Sequence, residues 1–569
     1  MQKRSRFETG RSFGRIWARE ILIQLPQNLT NMPKTKHNRR EFFKIGAAGF
    51  AAASLAGNIS GNVSNLRLHG PFPELVEATI ADLQAKLKSG QLTSKKLVEM
   101  YLERIKHIDT KTRSVIEINP DAIVIAEQLD RERKSKKLRG ILHGIPILIK
   151  DNIDTADKML TTAGSLALVD APTPKQDAFV VQQLRKAGAV IIGKTNLSEW
   201  ANFRGQRSIS GWSGRGGQTN NPYFLDQNPC GSSSGSGVAV SANLAAASVG
   251  TETNGSIICP AVTNGVVGVK PTLGLVSRSG IIPIAHTQDT AGPMARTVAD
   301  AAALLGAMTG SDKADEITVD GAKNAAKDYT KFLDPNGLKG ARLGVVWFPP
   351  RQNPEPYKAF FQPLVDKLRE AGAMLVDVTF PDLSGTQADR TAVLQYEFKT
   401  DLNKYLAARG GRYKTLEDLI KFNEENREKE LSLFGQELFI ESQKKGELTE
   451  KAYLDSLAKV KRTTREEGID ALMAKENLDA LVGPTTGQAW AIAAVAGYPS
   501  ITVPVGLREI PPSTNDSGAA VPGSIAAAGM LFFGKPWSEP SLIKYAYAFE
   551  QKTRGRVVPQ FLPTFPKKQ

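Results

Sequence analysis

The chain has 569 residues, of which 41% are hydrophobic and 23% are charged, so it can bury a large core and lacks the composition of a disordered protein. It contains no run of eighteen apolar residues, which excludes an ordinary membrane-spanning helix. Residues 1–44 carry +8 of the net charge of +15, with eleven Lys or Arg and three Glu. Such an arm can bind nucleic acid or an anionic membrane surface, but its last third indicates another role, and we expect no nucleic-acid partner.

The last third of this basic arm has the pattern of an export signal. Arg39 and Arg40 precede Glu-Phe-Phe-Lys, and a mildly apolar run over 45–56 ends in Ser-Leu-Ala. Charged, apolar and small-residue segments in this order are typical of a secretory signal, and the paired arginines resemble a twin-arginine signal. The apolar run is too short and too weakly apolar to be a stable anchor. We therefore predict a periplasmic or otherwise exported protein with no stable membrane association after export.

This interpretation divides the chain into three parts. Residues 1–56 are the predicted export signal region, residues 57–70 are a linker, and residues 71–569 are the functional domain. Met32 stands where such a signal would begin, so residues 1–31 are interpreted as an over-extended start. A disordered basic tail is the alternative interpretation.

Local patterns predict the first elements of the domain. A capping box led by Thr79 begins a helix that ends at Gly90, and apolar residues at helical spacing predict a second helix over about 94–108. The segment HGIPILIKDNID predicts a short apolar strand that ends at Lys150.

The order helix, glycine, strand then occurs twice. A helix capped by Asp177 and stopped by Gly188 leads into a buried strand at 190–192, and the order recurs over 357–380. Alternating helices and apolar strands predict an α/β fold in which helices cover both faces of a sheet. The charged segment 385–470 predicts a helical cap beside this core.

Three consecutive serines stand in a glycine-rich stretch, CGSSSGSGVA. With Ser233 at its centre, the stretch matches the G-x-S-x-G elbow of the α/β-hydrolases, but that elbow follows an apolar strand and precedes an acid and a histidine. Here a polar loop precedes it, and His286, the only later histidine, is expected to be a packing or hydrogen-bonding residue. A phosphate-binding loop also fits poorly, because no Gly-Lys-Ser/Thr is present.

Two other stretches accompany these serines. GIPILIKDNID contains Lys150, GSSSGSG contains Ser232, and GTETNGSI contains Ser256, 24 residues after Ser232. In this order and at this spacing, the three motifs resemble the amidase signature family, and KDNIDTADKMLTTAGSLAL is most similar to its peptide amidase branch. The resemblance spans about 75–555. It implies that 71–569 form one large amidase domain, with a mixed β-sheet between helical layers.

The resemblance implies a Ser-Ser-Lys triad that hydrolyses a carboxamide to a carboxylate and ammonia. Ser256 takes the place of the nucleophile, Ser232 that of a bridging serine on a cis peptide bond, and Lys150 that of the base. A lysine accepts a proton only when it is neutral, and burial lowers its pKa. The apolar residues before Lys150 favour such burial. No metal or organic cofactor is implied.

The oxyanion hole is expected in the nucleophile motif, at the start of a helix. Its donors would be the backbone N–H groups of Thr253, Asn254, Gly255 and Ser256. Most relatives have glycine where Asn254 stands, and asparagine tolerates a positive φ better than other residues. Glu252 stands where the family often has aspartate. We expect the oxyanion hole to form despite these two differences from the family pattern.

The branch resemblance predicts C-terminally amidated peptides as substrates. A broad-specificity aliphatic or aryl amidase acting on small amides is the alternative. A non-catalytic anion-binding protein and an amidotransferase subunit are less favoured. The export signal argues against the amidotransferase, which works in the cytosol with partner subunits.

Cys230 and Cys259 lie beside the two serine motifs. Export permits a disulfide between them, but we predict free buried thiols that are not catalytic. Ser233 and Ser234 are interpreted as hydrogen-bonding loop residues, and replacement of Ser233 by alanine is expected to be nearly silent. Arg296 precedes a capping box and is expected to be structural.

Overall fold

The computed structural model describes residues 70–348, 354–514 and 520–565. The predicted export signal region 1–56 lies outside these residues, as does nearly all of the linker 57–70, so both stay predictions. The described residues belong to one compact unit. None of their helices is long and apolar enough to cross a membrane.

Strands and helices follow one another along the described residues, with a run of helices between β10 and β11. The strands are β1 (Val115–Ile118), β2 (Pro146–Lys150), β3 (Val190–Thr195), β4 (Trp212–Ser213), β5 (Gly217–Gln218), β6 (Ala247–Glu252), β7 (Val267–Lys270), β8 (Thr290–Ala295), β9 (Arg342–Val346), β10 (Met374–Val378), β11 (Ala480–Pro484), β12 (Ser500–Ile510), β13 (Ser513–Thr514), β14 (Ala520–Val521) and β15 (Ser524–Phe533). The α-helices are α1 (Ile80–Ser89), α2 (Ser94–Thr112), α3 (Ala122–Lys134), α4 (Phe179–Lys186), α5 (Ser234–Ser241), α6 (Ile258–Thr263), α7 (Val298–Met308), α8 (Thr318–Asn324), α9 (Pro354–Glu370), α10 (Gln387–Arg409), α11 (Leu416–Glu425), α12 (Arg427–Glu430), α13 (Glu437–Gln443), α14 (Lys451–Thr464), α15 (Asp470–Lys475), α16 (Gly487–Ala496) and α17 (Glu539–Thr553).

One mixed sheet of eleven strands forms the centre of the described part of the chain. Its strand order is β1-β3-β2-β6-β8-β7-β12-β15-β11-β9-β10. Parallel pairing joins β3, β2 and β6 on one side and β11, β9 and β10 on the other. The strands between these two groups, and the edge strand β1, pair antiparallel. The mixed sheet implied by the family resemblance is thus confirmed.

Burial of the central strands shows that the sheet is covered on both faces. Every residue of β2, β3, β6, β7, β8 and β11 is buried. Successive side chains of a strand point to opposite faces, so a strand that is buried at every position must be covered on both. Helices α5, α6 and α7 supply part of this cover, against β6, β7 and β8. The α/β interpretation of the sequence is confirmed.

Most of the local predictions are also confirmed. Thr79 caps α1 and forms a capping box with Asp82, and Gly90 ends the helix with a φ of 76°. Strand β2 ends at Lys150, as predicted. Helix α2 continues to Thr112, beyond its predicted end.

The prediction that Asp177 caps the next helix is wrong. Helix α4 begins at Phe179 after Ala178, which makes no side-chain cap. Asp177 instead accepts a hydrogen bond from the backbone N–H of Ala156 at 2.8 Å and pairs with Arg185 at 3.0 Å. The carboxylate therefore joins a distant loop to the helix, and a local capping pattern does not reveal such a partner.

Arg296 has the structural role that the sequence predicts. It is buried, and its guanidinium donates hydrogen bonds to the carbonyl oxygens of Ala245 at 2.8 Å and Ala78 at 2.6 Å. Thr297 caps α7 by accepting a hydrogen bond from the backbone N–H of Asp300. The arginine thus ties the start of α7 to the first helix of the domain.

The charged segment 385–470 is helical, as predicted. Phe398, Leu406 and Phe439, from helices α10 and α13, pack against Trp200 and Phe203 of the loop after β3. This helical cap has its own apolar cluster and lies close to the loop that leads into the serine motif.

Candidate active site

Lys150 stands at the end of β2, a central strand, and its side chain is fully buried. Strands β2 and β6 pair in parallel, so their carboxyl ends lie side by side and bring Lys150 next to Thr251. The Nζ atom of Lys150 lies 2.8 Å from Thr251 Oγ1 and 2.8 Å from Ser232 Oγ. The side-chain amide of Asn152 donates to the same Thr251 hydroxyl at 3.0 Å. The ammonium or amine of Lys150 is therefore held in one place by two hydroxyl groups.

The environment of Lys150 changes its protonation. Burial lowers its pKa from the usual 10.5 to about 7, although the negative charges of Asp289 and Glu252 act in the opposite direction. A lysine in this environment is neutral in a large fraction of molecules at neutral pH and can accept a proton. The expectation that Lys150 is buried is confirmed.

The glycine-rich loop brings the two predicted serines together. The peptide bond between Gly231 and Ser232 is cis, as the family resemblance implies, and Ser232 is fully buried. The backbone N–H of Ser198 donates to the carbonyl of Ser232 at 3.1 Å, and the backbone N–H of Ser233 donates to the carbonyl of Ser256 at 3.1 Å. The described residues show no direct hydrogen bond between the hydroxyl groups of Ser232 and Ser256, and the bond from the N–H of Ser233 to the carbonyl of Ser256 joins the two motifs.

The segment from 253 to 256 leaves donors free at the predicted oxyanion hole. Within the described residues, the backbone N–H groups of Thr253, Asn254, Gly255 and Ser256 donate to no carbonyl and no side chain. The positive φ lies at Gly255, at 81°, and not at Asn254, so the expectation that attached it to the asparagine is wrong. A Cβ at Gly255 would lie 2.3 Å from Nε1 of Trp490, which explains why glycine is needed there.

Glu252 fixes the far end of this segment. One of its carboxylate oxygens accepts hydrogen bonds from the backbone N–H groups of Ile257 at 2.8 Å and Ile258 at 3.0 Å. Those donors belong to the start of α6, so they are not available to a substrate. The four N–H groups that stay free lie between Glu252 and Ile257, in the same segment as Ser256, which is 8% exposed.

In the structure, Ser233 has a larger role in positioning the site than its sequence context predicts. Its hydroxyl donates to the carbonyl oxygen of Thr251 at 3.0 Å and accepts from the backbone N–H of Thr251 at 3.1 Å. It therefore positions the residue whose own hydroxyl holds Lys150. Ser234 donates to the carbonyl of Cys230 at 2.6 Å, as expected for a loop serine. In the described residues no histidine contacts these serines, and the alternative elbow has no support.

The prediction of free thiols is wrong, because Cys230 and Cys259 form a disulfide. Both cysteines are half-buried, not fully buried. Twenty-nine positions separate them in the sequence, and the packing of α5 on α6 brings them together. A neighbour of this kind is set by tertiary contacts, which local sequence patterns do not reveal. The bridge removes both residues from the list of candidate nucleophiles.

A cavity of about 400 Å³ adjoins the site. It is bordered on one side by Thr251 and Thr253 and on the other by helix α10 of the cap. The residues 281–284 supply an apolar wall. Lys150, Ser232 and Ser256 do not line this cavity; it meets them through the two threonines. It is large enough for a substrate side chain or a neighbouring residue of a peptide.

His286 lines this cavity but has partners of its own. Its ring Nδ1 lies 2.8 Å from a carboxylate oxygen of Asp401, which raises the pKa of the imidazole. Glu397 completes a group whose ligand atoms lie within 4.8 Å of one another. Thr287 and Tyr453 already donate hydrogen bonds to Glu397, so these contacts account for the cluster without a metal ion. The expectation that His286 is a hydrogen-bonding residue is confirmed.

Two contributors to the site could not be identified from sequence. Thr251 lies inside the GTETNGSI motif, but its contacts with Lys150 and Ser233 depend on the pairing of β6 with β2. Asp289 lies in a different segment, HTQDT, and reaches Thr253 only in the folded chain. The family resemblance covers the HTQDT segment, but nothing local to it indicates that contact.

Comparisons with known proteins agree with this geometry. The family model described as Amidase matches residues 96–543. A probable amidase of Arabidopsis thaliana is 43% identical over 513 residues, covering 88% of this chain and 95% of the relative. A glutamyl-tRNA(Gln) amidotransferase subunit of Acinetobacter baumannii is 32% identical over 510 residues, covering 84% of this chain and 97% of the relative.

Among solved structures, the native peptide amidase of Stenotrophomonas maltophilia is 49% identical and superposes with a TM-score of 0.79. The match covers 85% of this chain and 99% of that enzyme. The sheet, the burial of the lysine and the order of the motifs thus agree with a single family. The chain belongs to the amidase signature family and is an amide hydrolase.

Proposed function

We propose that this amidase works through Lys150, Ser232 and Ser256 and cleaves C-terminally amidated peptides. The observation that carries the proposal is the 2.8 Å hydrogen bond between Lys150 Nζ and Ser232 Oγ, because it joins a buried amine of lowered pKa to a serine that adjoins Ser256. This arrangement supplies a path for a proton away from the nucleophile. The free N–H groups of 253–256 supply donors for the oxyanion.

Acylation follows from these positions. Ser256 Oγ attacks the carboxamide carbon while its proton passes to Ser232 Oγ, whose own proton passes to the neutral amine of Lys150. The hydroxyls of Ser256 and Ser232 are not hydrogen-bonded in the free enzyme, and contacts of this kind commonly tighten when substrate binds. The carbonyl oxygen becomes an oxyanion that the free N–H groups of 253–256 stabilise.

The collapse of this intermediate breaks the C–N bond. Lys150 returns its proton through Ser232 to the leaving nitrogen, and ammonia departs from the acyl-enzyme. Water then attacks the ester of Ser256 by the same relay, and the carboxylate leaves. In this second half, Lys150 returns the proton taken from water to Ser256 Oγ, which replaces the proton that left with ammonia. The sum is R–CO–NH₂ + H₂O → R–COOH + NH₃, and the enzyme regains its starting protonation.

The substrate class is supported by the 49% identity with a peptide amidase and by the cavity that adjoins the site. An apolar wall over 281–284 can take a side chain of the residue that precedes or carries the amide. A broad-specificity amidase on small amides remains the second candidate, because it would need the same triad and a smaller part of the cavity.

Ammonia release tests the proposal. The panel contains amidated di- and tripeptides, the same peptides with free carboxyl ends, acetamide, benzamide and glutamine. We expect the amidated peptides to have the highest kcat/KM, the free peptides to release no ammonia, and Ser256→Ala to abolish release from every substrate. Equal or better turnover of acetamide and benzamide would favour the broad-specificity alternative. Ammonia release by Ser256→Ala at the rate of the unmodified enzyme would reject the triad.

A further inference from the structure

We infer that Asp289 is a positioning residue for amide hydrolysis: its carboxylate holds Thr253, and with it the start of the oxyanion segment, against the wall of the adjoining cavity. The inference rests on the proposed function, because it assumes that the N–H groups after Thr253 stabilise the oxyanion.

Both carboxylate oxygens of Asp289 accept hydrogen bonds. One oxygen accepts the hydroxyl hydrogen of Thr253. The other accepts hydrogen bonds from the backbone N–H groups of Ile284 at 2.7 Å and Ala285 at 2.8 Å. Thr253, Ile284 and Asp289 all line the cavity. A single carboxylate therefore joins the first residue after β6 to the apolar wall that a substrate would contact.

The oxyanion segment needs such a connection at its start. Beyond β6, the N–H groups of 254–256 have no partner in the described residues, so no strand or helix bond fixes their direction. Glu252 fixes the far end by binding the N–H groups of Ile257 and Ile258. Asp289 fixes the near end through the side chain of Thr253. The free donors thus lie between two points, one held by the buried carboxylate of Glu252 and the other by the half-buried carboxylate of Asp289.

The charge of Asp289 has a second, separable effect. Burial raises the pKa of Asp289 to about 6, and the nearby negative charge of Asp401 acts in the same direction, whereas the hydrogen bonds from Thr253, Ile284 and Ala285 lower it. The carboxylate is therefore mostly ionised at neutral pH. Its charge raises the pKa of Lys150, against the effect of burial.

Substitution of Thr253 tests the positioning role alone. Thr253→Val keeps the shape and removes the hydroxyl, whereas Thr253→Ser keeps the hydroxyl. We expect Thr253→Val to lower kcat by about 10- to 100-fold with little change in KM, because small displacements of reacting groups can cost about 100-fold. Thr253→Ser should restore most of the rate.

Thr112→Val is the matched control. Thr112 is fully buried, and its hydroxyl also donates to a carboxylate, that of Asp109, at 2.6 Å. It lies at the end of α2 and lines neither the site nor the cavity. Thr112→Val should lower the melting temperature to a similar extent as Thr253→Val and leave kcat unchanged.

Substitution of Asp289 tests the charge. In Asp289→Asn, the amide oxygen can accept from Ile284 and Ala285 while its NH₂ donates to Thr253 Oγ1, so the connection survives. The charge is lost, the pKa of Lys150 falls, and the acid limb of the kcat/KM profile should move to lower pH with most of kcat retained. Asp289→Ala removes connection and charge, and its kcat should fall at least as far as that of Thr253→Val.

The outcomes distinguish a failure of the inference about Asp289 from a failure of the proposed function. If Thr253→Val is as active as the unmodified enzyme, or if its loss is entirely in KM, the positioning role is wrong. If Ser256→Ala also keeps full activity, the proposed function itself is wrong. If Ser256→Ala is inactive while Thr253→Val and Asp289→Ala are normal, only the inference about Asp289 fails. An unmoved acid limb in Asp289→Asn rejects its electrostatic effect on Lys150.

Discussion

The disulfide between Cys230 and Cys259 joins the loop of Ser232 to the segment that follows Ser256. Cys230 stands two residues before Ser232, and Cys259 stands three residues after Ser256. The covalent bond therefore runs beside the hydrogen bond from the N–H of Ser233 to the carbonyl of Ser256 at 3.1 Å. Two connections, one covalent and one not, set the distance between the two serines.

Removal of the disulfide should weaken both stability and turnover. A bridge that closes a loop of this length typically contributes about 2–4 kcal/mol to the free energy of unfolding, so Cys230→Ser/Cys259→Ser should unfold at lower urea concentration. We also expect a lower kcat, because the serines lose one of their two connections. Urea unfolding and steady-state kinetics measure both effects. A double variant with the unfolding midpoint and the kcat of the unmodified enzyme would contradict both expectations.

The pH dependence of kcat/KM should report on Lys150. Burial lowers its pKa to about 7, and the reaction needs the neutral amine, so activity should fall as the pH decreases through about 7. The sign is fixed by the role: a base loses activity when it is protonated. Initial rates between pH 5 and 9 on an amidated peptide test this. An acid limb far from neutral pH, or one that Lys150→Arg leaves in place, would contradict the assignment.

Ser233→Ala should not be silent, contrary to the expectation from sequence. The change removes two buried hydrogen bonds with the backbone of Thr251 and leaves its N–H unpaired. A buried unpaired group typically costs about 1–3 kcal/mol of stability. Because Thr251 holds Lys150, kcat should fall as well, though less than in Ser232→Ala. Ser234→Ala, in the same loop, is the control, and equal melting temperatures for the two variants would contradict this prediction.

The order of elements and the three motifs could be predicted because they depend on local sequence. Apolar runs such as the one before Lys150 predict buried strands, and a capping box such as that of Thr79 predicts a helix start wherever the chain folds. The lowered pKa of Lys150 followed from the same apolar run. The apolar pattern and the order of the motifs along the chain thus predicted most of the fold and the candidate triad.

Contacts between distant segments could not be predicted in this way. Whether Cys230 meets Cys259 depends on how α5 packs on α6, and whether Asp289 meets Thr253 depends on the path of the loop before β8. The position of the positive φ depends on the space that Trp490 leaves, which selected Gly255 and not Asn254. Each of these features is set by packing after the sheet has formed.

Export is tested independently of catalysis. We predict that Arg39→Lys/Arg40→Lys leaves the precursor in the cytoplasm of a host with a twin-arginine pathway, because that pathway distinguishes the arginine pair from other positive charges. Lys36→Arg, which keeps the charge and the pair, should be exported normally. Cell fractionation and immunoblotting measure the distribution, and a normal periplasmic yield of the double variant would reject the twin-arginine interpretation.

Alanine substitutions of Ser256 and Ser232 should have different effects if Ser256 is the nucleophile and Ser232 relays its proton. Ser256→Ala removes the atom that is acylated, so a fluorophosphonate probe should form no adduct with it. Ser232→Ala keeps the nucleophile and breaks the path to Lys150, so slow labelling of Ser256 should persist. Loss of general-base assistance typically costs about 10²–10⁴-fold, and we expect a loss of that order in kcat.

Lys150→Ala should lower kcat to a similar extent as Ser232→Ala. Both changes interrupt the proton path that contains the 2.8 Å hydrogen bond between Lys150 Nζ and Ser232 Oγ. Residues that act as a unit are not additive, so the double variant should be little worse than either single one. Multiplied losses in the double variant would mean that the lysine and the serine act separately. Mass spectrometry of the labelled, unmodified enzyme decides the assignment directly: the probe should be on Ser256, and a probe on Ser232 or Ser233 would refute it.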